Sequence, residues 1–587
     1  MTLVGLILNY SFIGIFTSNV IHILFFVINL LLIFAYLVRY KKWNNDKYIS
    51  KLKIKNKINL NKVLLLILLI VITIIPFLVL GKIGFTQEFT YRHMAFAKAS
   101  EDSSHINPYL NSAKGYNFEF VDLYPGHDIF LIILISISEI NVINFQFLPL
   151  MGIIILLLYY SLSKKLLKSN LIAFVLSIAV ISYDLAYSMG IYNTWYYSIT
   201  YGLYLTFLII LTEKRSPNQI FALFLIFLAS FFIHHTVAVW IILAFIIFNL
   251  FNFIGNYRNY KSNKKNTLNI TLALIVIYIM FNKVIFKQYL PKIGSDMGVD
   301  STYDFMNLII NVFKFSPPIL EKYVYSIGMP ILQNPVLSFI TSLRYLLILI
   351  PVGIYFIVFI KKIVQKIIHN SNLRIKENYY IIIIILGTGI IDYGLYAIFG
   401  RPSLKYIIFM FPILSIISLK SLFKNSNRRN IIIITFMILL LSFSFIKFGL
   451  YLGDNLGMPT TTYENIEPSS NWLNKNEKVN STLITDMHTF GKFQVLGAYN
   501  DKFYDWAYYT SEIYDLLVNE KYKTIQTDKL KRKADYILID GKNIKRPIIS
   551  LFWLHFEPIN PYLEVLNNNV NLNEVYDDGN ILIYDCI

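Results

Sequence analysis

From Val63 to Leu80 the chain carries one polar side chain, Thr73, and apolar runs of this kind recur along most of its length. Stretches of about 17–24 apolar residues are each long enough to cross the hydrocarbon core of a bilayer. In lipid the only open-ended structure that satisfies its own backbone is the helix, so these runs restrict the chain to a helical membrane architecture. Composition agrees: 56% of the 587 residues are hydrophobic, 16% aromatic and only 15% charged. Met1–Val20 lacks a basic start and a small-residue cleavage site, so the first apolar stretch is expected to stay as an anchor.

The formal charge of +18 would suit nucleic acid if it were spread evenly. It is not. Asp454–Ile587 holds 13 basic and 19 acidic residues, which leaves +24 for the remainder. There the cations sit in short loops, the pattern of topology signals and not of a phosphate groove, so no nucleic-acid partner is expected. The one cysteine, Cys586, excludes an internal disulfide and a cysteine-rich metal site.

Orientation follows from the loops. "RYKKWNNDKYISKLKIKNKINLNK" has nine Lys/Arg against one acid and marks the cytoplasmic side. Lys62–Leu80 then leads outward, which puts residues 81–144 outside. If spans alternate from there, "SKKLLKSN", "TEKRSPNQ", "NYRNYKSNKK", "KKIVQKIIHNSNLRIK" and "KNSNRR" should all fall inside, and they do. The spans so delimited are Phe145–Leu162, Leu171–Ser188, Thr194–Leu211, Ile220–Ile233, Val237–Phe253, Leu268–Phe281, Leu337–Ile360, Tyr380–Phe399, Ile407–Leu419 and Ile431–Leu450. With Ile21–Val38 and Lys62–Leu80, and with Leu3–Thr17 undecided, the count is about 12 or 13.

The fold class expected is therefore mostly α: a polytopic bundle, Lys62–Tyr451, behind an N-terminal anchor and basic linker, residues 1–61. A C-terminal α/β domain outside the membrane follows, residues 452–587. In that tail "STLITDMHTFGKF" reads as strand, turn and helix. "ADYILIDG" reads as a buried strand, and "VYDDGNILIYD" as a hairpin turning at Asp578-Gly579.

The outer loop, residues 81–144, is far longer than an ordinary connection and too apolar to be disordered. Glu88–Ser100, within "QEFTYRHMAFAKAS", has helical periodicity, with Phe89, His93, Phe96 and Ala97 on one side of a surface-lying helix. "VDLYPGHDIFLIILISISEI" runs from a Tyr-Pro-Gly turn into Ile129–Ile137, an apolar segment too short to span.

These two elements resemble the first outer loop of the glycosyltransferase-C superfamily, whose loop carries an early acidic motif followed by an aromatic and an Arg or His. Later in that loop comes a "YPP-x-x-H"-like element entering an apolar helix. "QEFTYRHMAFAKA" matches the first and "YPGHDIF" the second, over a resemblance that spans about Lys62–Ile587. It implies an integral membrane enzyme, of the mannosyltransferase or aminoarabinose-transferase kind. Such an enzyme moves a sugar from a polyprenyl-phosphate carrier to a lipid, glycan or protein acceptor on the outer face. Where many members have Asp-Glu or Asp-x-Asp, this chain has Gln87-Glu88.

By that resemblance Glu88 is the candidate base, because a sugar hydroxyl is a poor nucleophile until its proton is taken. Asp122 and Asp128 are candidates for a second active-site carboxylate, as is Glu119. The departing lipid phosphate gains charge and needs cations, for which Arg92 and Arg401 stand at headgroup level, with Arg344 a further possibility. His93, His127, His234, His235 and Asp392 complete the candidate substrate-binding set. Structural alternatives stand beside each role. Glu88 and Arg92 suit an i,i+4 ion pair, Asp128 suits a helix cap, Arg401 can snorkel to the interface, and His234-His235 suits a wet turn between spans. Asp184 and Asp392 are intramembrane carboxylates, costly unless they face a polar cavity. Trp195, Tyr196 and Tyr197 suit the interfacial aromatic belt. A divalent cation held by Asp/Glu side chains is the one cofactor left open, and no ligand spacing argues for it. Two other function classes fit the same chain: a transporter or flippase of lipid-linked or anionic solutes, and a non-catalytic relative in which Gln87 has replaced the acid.

Overall fold

The computed structural model describes residues 125–138, 150–180, 196–212, 217–233, 235–255, 272–277, 335–368, 384–388, 410–423, 425–452, 463–476, 482–485, 505–508, 535–541, 548–549, 555–556 and 572–586. It also describes positions 27, 63, 67, 70, 94, 97, 489, 492, 493 and 496. The described part is mostly helical. Its helices are α1 (Pro125–Ser138), α2 (Leu150–Leu167), α3 (Asn170–Val180), α4 (Tyr196–Leu211), α5 (Pro217–Ile233), α6 (His235–Gly255), α7 (Pro335–Ile368), α8 (Phe411–Leu422), α9 (Ser426–Leu452) and α10 (Tyr463–Asn476).

Most of these fall where the apolar runs lie, and the differences are at the ends. α2 continues to Leu167 and takes in Lys164 and Lys165, which the hydropathy pattern assigns to a loop. The reason is local. Lysine is a good helix former, and a cation in the last turn faces the negative end of the helix dipole. α7 likewise runs on through "KKIVQKII" to a length of 34 residues. The turn between α2 and α3 is two residues long. Lys168 closes α2 in the left-handed region, φ 55°, and Ser169 opens α3 as its N-cap, its Oγ accepting from the Ile172 amide at 3.4 Å. Asn425 does the same for α9, accepting from the Asn427 and Arg428 amides at 3.0 and 3.3 Å.

α8 is buried among its neighbours. Seven of its twelve residues are buried, and it packs on α2, α3, α7 and α9. Around it run neighbour contacts from α1 through α5, α4, α2, α3 and α9 to α7, with α6 against α4 and α5. Aromatic rings fill the α4–α6 seam, where Tyr204 meets Trp240 edge-on at 5.2 Å and Phe207 meets Phe245 at 5.7 Å. Hydroxyls inside the bundle turn back onto their own helices. Ser177, Ser230, Ser418 and Ser444 each donate to the carbonyl four residues earlier at 2.7 Å. An apolar interior offers no water to satisfy them.

The outward faces of α7 and α9 are apolar as well. On α9, Ile433, Phe436, Met437 and Leu440 are buried, while Ile431 and Ile438 on the other face are 64% and 58% exposed. A helix apolar on both its packed and its open face is suited to lipid, not water. Ser426–Ile446, 21 residues, has the length and apolarity to cross a bilayer. Other apolar helical stretches among the described residues are 10–17 residues long. The expected 12 or 13 spans extend over segments outside the described residues.

The tail holds a five-stranded sheet made of β1 (Thr482–Thr485), β2 (Asp505–Tyr508), β3 (Tyr536–Asp540), β6 (Leu572–Asp577) and β7 (Ile581–Cys586), in the order β2-β1-β3-β7-β6. A separate pair is formed by β4 (Ile548–Ile549) and β5 (His555–Phe556). β1 pairs in parallel with β2 and β3, whereas β7 is antiparallel to β3 and β6. The strand expected in "ADYILIDG" is β3, buried at all five positions. Helical residues Thr489, Lys492, Phe493 and Leu496 follow β1 as expected. The hairpin turns at Asp578–Asn580, with Gly579 at φ 80°. Asp577 Oδ1 accepts from the Gly579 amide at 2.7 Å, and Asp578 Oδ1 from the Asn580 and Ile581 amides at 2.8 Å. α10 lies by this hairpin through Trp472, whose ring is 5.4 Å from that of Tyr576. Cys586 is a buried free thiol.

Candidate functional site

Two sets of contacts fix the relative directions of the helices. At one end Lys420 Nζ donates to the Leu167 carbonyl at 2.7 Å and Lys165 Nζ to the Ile209 carbonyl at 3.4 Å. The C-termini of α2, α4 and α8 therefore lie together, with a terminal carbonyl of α2 and one of α4 each accepting from a neighbouring helix's ammonium. At the other end Arg344, in the third turn of α7, reaches α3 and α9. Its Nε donates to Ser444 Oγ at 3.2 Å and its Nη2 to the Ala179 carbonyl at 3.3 Å. So α7 runs opposite to α3 and α9. Alternating spans require this arrangement, with basic loops at one end and the Arg344 level at the other.

α1 joins that second end. A Cβ built on Gly126 would stand 2.9 Å from the carbonyl carbon and oxygen of Phe232. Only glycine lets the two backbones approach so closely. Gly126 is thus seated on the last turn of α5, at Phe232, one residue before the helix ends at Ile233. α5 is described as far as Ile233 and α6 from His235. His127, next to Gly126, is fully buried, 0% exposed. Ile129, Leu131 and Ile132 are buried behind it, which agrees with the short apolar segment expected at Ile129–Ile137.

Of the other loop element, Met94 and Ala97 are described. Both are helical and buried. Ala97 lies on the side expected to be covered, and Met94 adds to it at i,i+3 spacing.

Glu88, Arg92, His93, Asp122, His234, Asp392 and Arg401 lie outside the described residues, as do Gln87, Glu119, Asp184 and Trp195. Asp128 and His235 are described as helical backbone only. Asp128 is the fourth residue of α1, so it belongs to the first turn and not to the capping position before it. Among the described residues no three His, Cys, Asp or Glu side chains gather where a metal ion could be held.

Arg344 is the group whose surroundings sequence reasoning could not supply. It is 2% exposed, and the acceptors it uses, a carbonyl on α3 and a hydroxyl on α9, sit 165 and 100 residues away in sequence. Ser444 gave no signal, because a serine in an apolar run reads as a tolerated polar residue. Phe232 gave none either, since the contact is with its backbone. In the tail, Lys492 and Asp540 are both buried, a placement that no local pattern marks.

No protein-family model matches the chain, and no curated protein does. Among solved structures the chain is similar to the crystal structure of ArnT from Cupriavidus metallidurans bound to undecaprenyl phosphate. The two share 10% identity over 89% of this chain and 98% of that one, with a TM-score of 0.39.

Proposed function

We propose that the chain is an integral membrane glycosyltransferase that moves a sugar from a polyprenyl-phosphate carrier to an acceptor on the outer face, with inversion at the anomeric carbon. The observation that carries this reading is the seating of Gly126-His127 on the Phe232 end of α5. It brings the second loop element, with the buried His127 imidazole, to the place where α5 ends and α6 follows. The loop resemblance assigns substrate contacts to both places. Arg344, bonded to the C-terminal parts of α3 and α9, lies toward the same end of the bundle.

In this reading Glu88 takes the proton of the acceptor hydroxyl as its oxygen bonds to the anomeric carbon. The bond from that carbon to the phosphate oxygen breaks, and the lipid phosphate leaves with the electron pair. Two of the N–H directions of Arg344 are spent on protein oxygens, so the leaving phosphate falls to Arg92 and Arg401, while Arg344 holds the helices that frame the pocket. His127, His234 and His235 hold sugar or phosphate oxygens. The donor is the carrier-linked sugar, and the acceptor a lipid, glycan or protein. The C-terminal α/β part lies on the same side as the active site and helps select the acceptor.

The test uses the full chain in lipid nanodiscs, supplied with radiolabelled polyprenyl-phosphate sugars and cell-envelope acceptors. Glu88→Ala and Glu88→Gln are expected to abolish transfer while helix content and melting temperature stay unchanged. Wild-type turnover in either variant removes Glu88 from the role. Vesicle uptake that needs Asp392 and not Glu88 identifies a transporter instead. Donor binding without turnover identifies a non-catalytic relative.

A further inference from the structure

We propose that the basic end of the bundle is a docking surface for anionic phospholipid headgroups, a surface independent of the transferase reading. The helix ends that meet there carry Lys164, Lys165 and Lys168 from α2 and its turn, Lys420 from α8, and Arg428 and Arg429 from α9. The contacts of Lys420 with Leu167 and of Lys165 with Ile209 bring these termini together. Arg429 is close enough to Lys420 for their charges to repel. Residues 150–180, 196–212, 410–423 and 425–452 contain no aspartate or glutamate, and in the adjoining "TEKRSPNQ" Glu213 is followed directly by Lys214 and Arg215, so the neighbouring segments bring no excess of carboxylate to relieve the repulsion. An outside anion would.

The six cations divide by task. Lys165 and Lys420 are turned inward onto carbonyls, whereas Lys164, Lys168 and Arg428 are exposed. Lys168 is the position that a structural role explains least. It sits at φ 55°, where glycine or asparagine closes a helix more cheaply. A lysine there keeps a cation at the tip of the two-residue turn. Beside these charges stand open apolar side chains: Leu171, 58% exposed, Phe423, 37%, and Ile431. A cation next to an exposed apolar side chain matches an interfacial lipid, with phosphate outermost and acyl chain behind it. A zwitterionic headgroup brings its own ammonium and gains little from the cluster. The occupant is therefore a phospholipid of net negative charge.

The experiment is native mass spectrometry of the full chain in detergent, titrated with phosphatidylglycerol or phosphatidylcholine. The wild type is expected to retain phosphatidylglycerol preferentially. Each exposed cation removed should cut that preference about fivefold, so Lys164→Gln/Lys168→Gln/Arg428→Gln should lose roughly a hundredfold. Lys168→Arg should keep it. All three side chains are exposed, so the fold tolerates their replacement, and an unchanged melting temperature in phosphatidylcholine nanodiscs checks this. Equal retention of the two lipids by the wild type overturns the proposal. So does an undiminished preference in the triple variant, or displacement of the lipid by millimolar inorganic phosphate.

Discussion

Arg344 donates through Nε to Ser444 Oγ at 3.2 Å, a bond between the N-terminal part of one helix and the C-terminal part of another. A second bond, from Nη2 to the Ala179 carbonyl, brings in a third helix at the same level. The guanidinium is buried, so these acceptors replace the water it gave up, and the three helices cannot slide without unsatisfying it.

Arg344→Ala should therefore loosen the bundle more than it alters its chemistry. Losing bonds from a charged donor costs about 2–4 kcal/mol. Ser444→Ala leaves the guanidinium one acceptor short and should cost about 1–3 kcal/mol. Denaturation in mixed micelles measures both. A loss of transfer with no loss of stability would instead mark Arg344 as a substrate ligand.

Gly126→Ala should force α1 off the end of α5, because the new methyl would meet the Phe232 backbone at 2.9 Å. Overpacking of this kind costs about 1–3 kcal/mol. Transfer is expected to fall at least tenfold, since a displaced loop element ruins the alignment of reacting groups. Circular dichroism should show the other helices intact. Unaltered turnover would separate the Gly126 contact from function.

Ser415 Oγ lies 2.7 Å from the Ile348 carbonyl and 2.8 Å from its own Phe411 carbonyl. Ile348 is three residues before Pro351, which interrupts the backbone ladder of α7. Ser415→Ala should cost about 1 kcal/mol. In a Pro351→Ala background, where the helix repairs itself, the same change should cost less. A double-mutant cycle is expected to give a coupling of about 0.5–1.5 kcal/mol. Strict additivity would mean that the serine and the proline act separately.

Tyr576 donates to Asp578 Oδ2 at 3.0 Å. Burial, then that hydrogen bond and the Asp578 charge, push its phenol up to about 12 from 10.0. The neutral form is the one the fold favours, so the stabilisation is fully present below pH 10. It is lost as the pH rises from about 10 through about 12. Subtracting the ultraviolet titration of Tyr576→Phe from that of the wild type should leave one phenolate step near pH 12. Asp578→Asn should move the step back toward 10. A step at 10 in the wild type would mean that the hairpin does not hold the phenol.

Much of the helical part was legible because lipid-suited helices announce themselves by length and apolarity, and their order by the charges between them. The hairpin at Asp578-Gly579 was legible for a local reason: aspartate side chains bond the turn amides and glycine takes the positive φ. The loop elements could be named as motifs, yet nothing in "YPGH" says that its glycine will touch Phe232. The end of α2 extends past the hydropathy pattern at Lys164 and Lys165, since hydropathy sees neither lysine's helix propensity nor the Ile209 carbonyl that Lys165 reaches on another helix.

By itself, then, the sequence determined that the chain forms apolar helices, which ends of them are basic, and that a strand-rich tail follows. Each of these depends on side chains close together in the chain. The tertiary structure alone decided that Arg344 is held by α3 and α9, that α8 packs among α2, α3, α7 and α9, and that the loop element rests on α5. The Arg344 and Gly126 contacts join residues a hundred or more apart, and in an interior apolar on every side, hydropathy does not distinguish one partner from another. Close backbone approach and scarce buried hydrogen bonds make that choice.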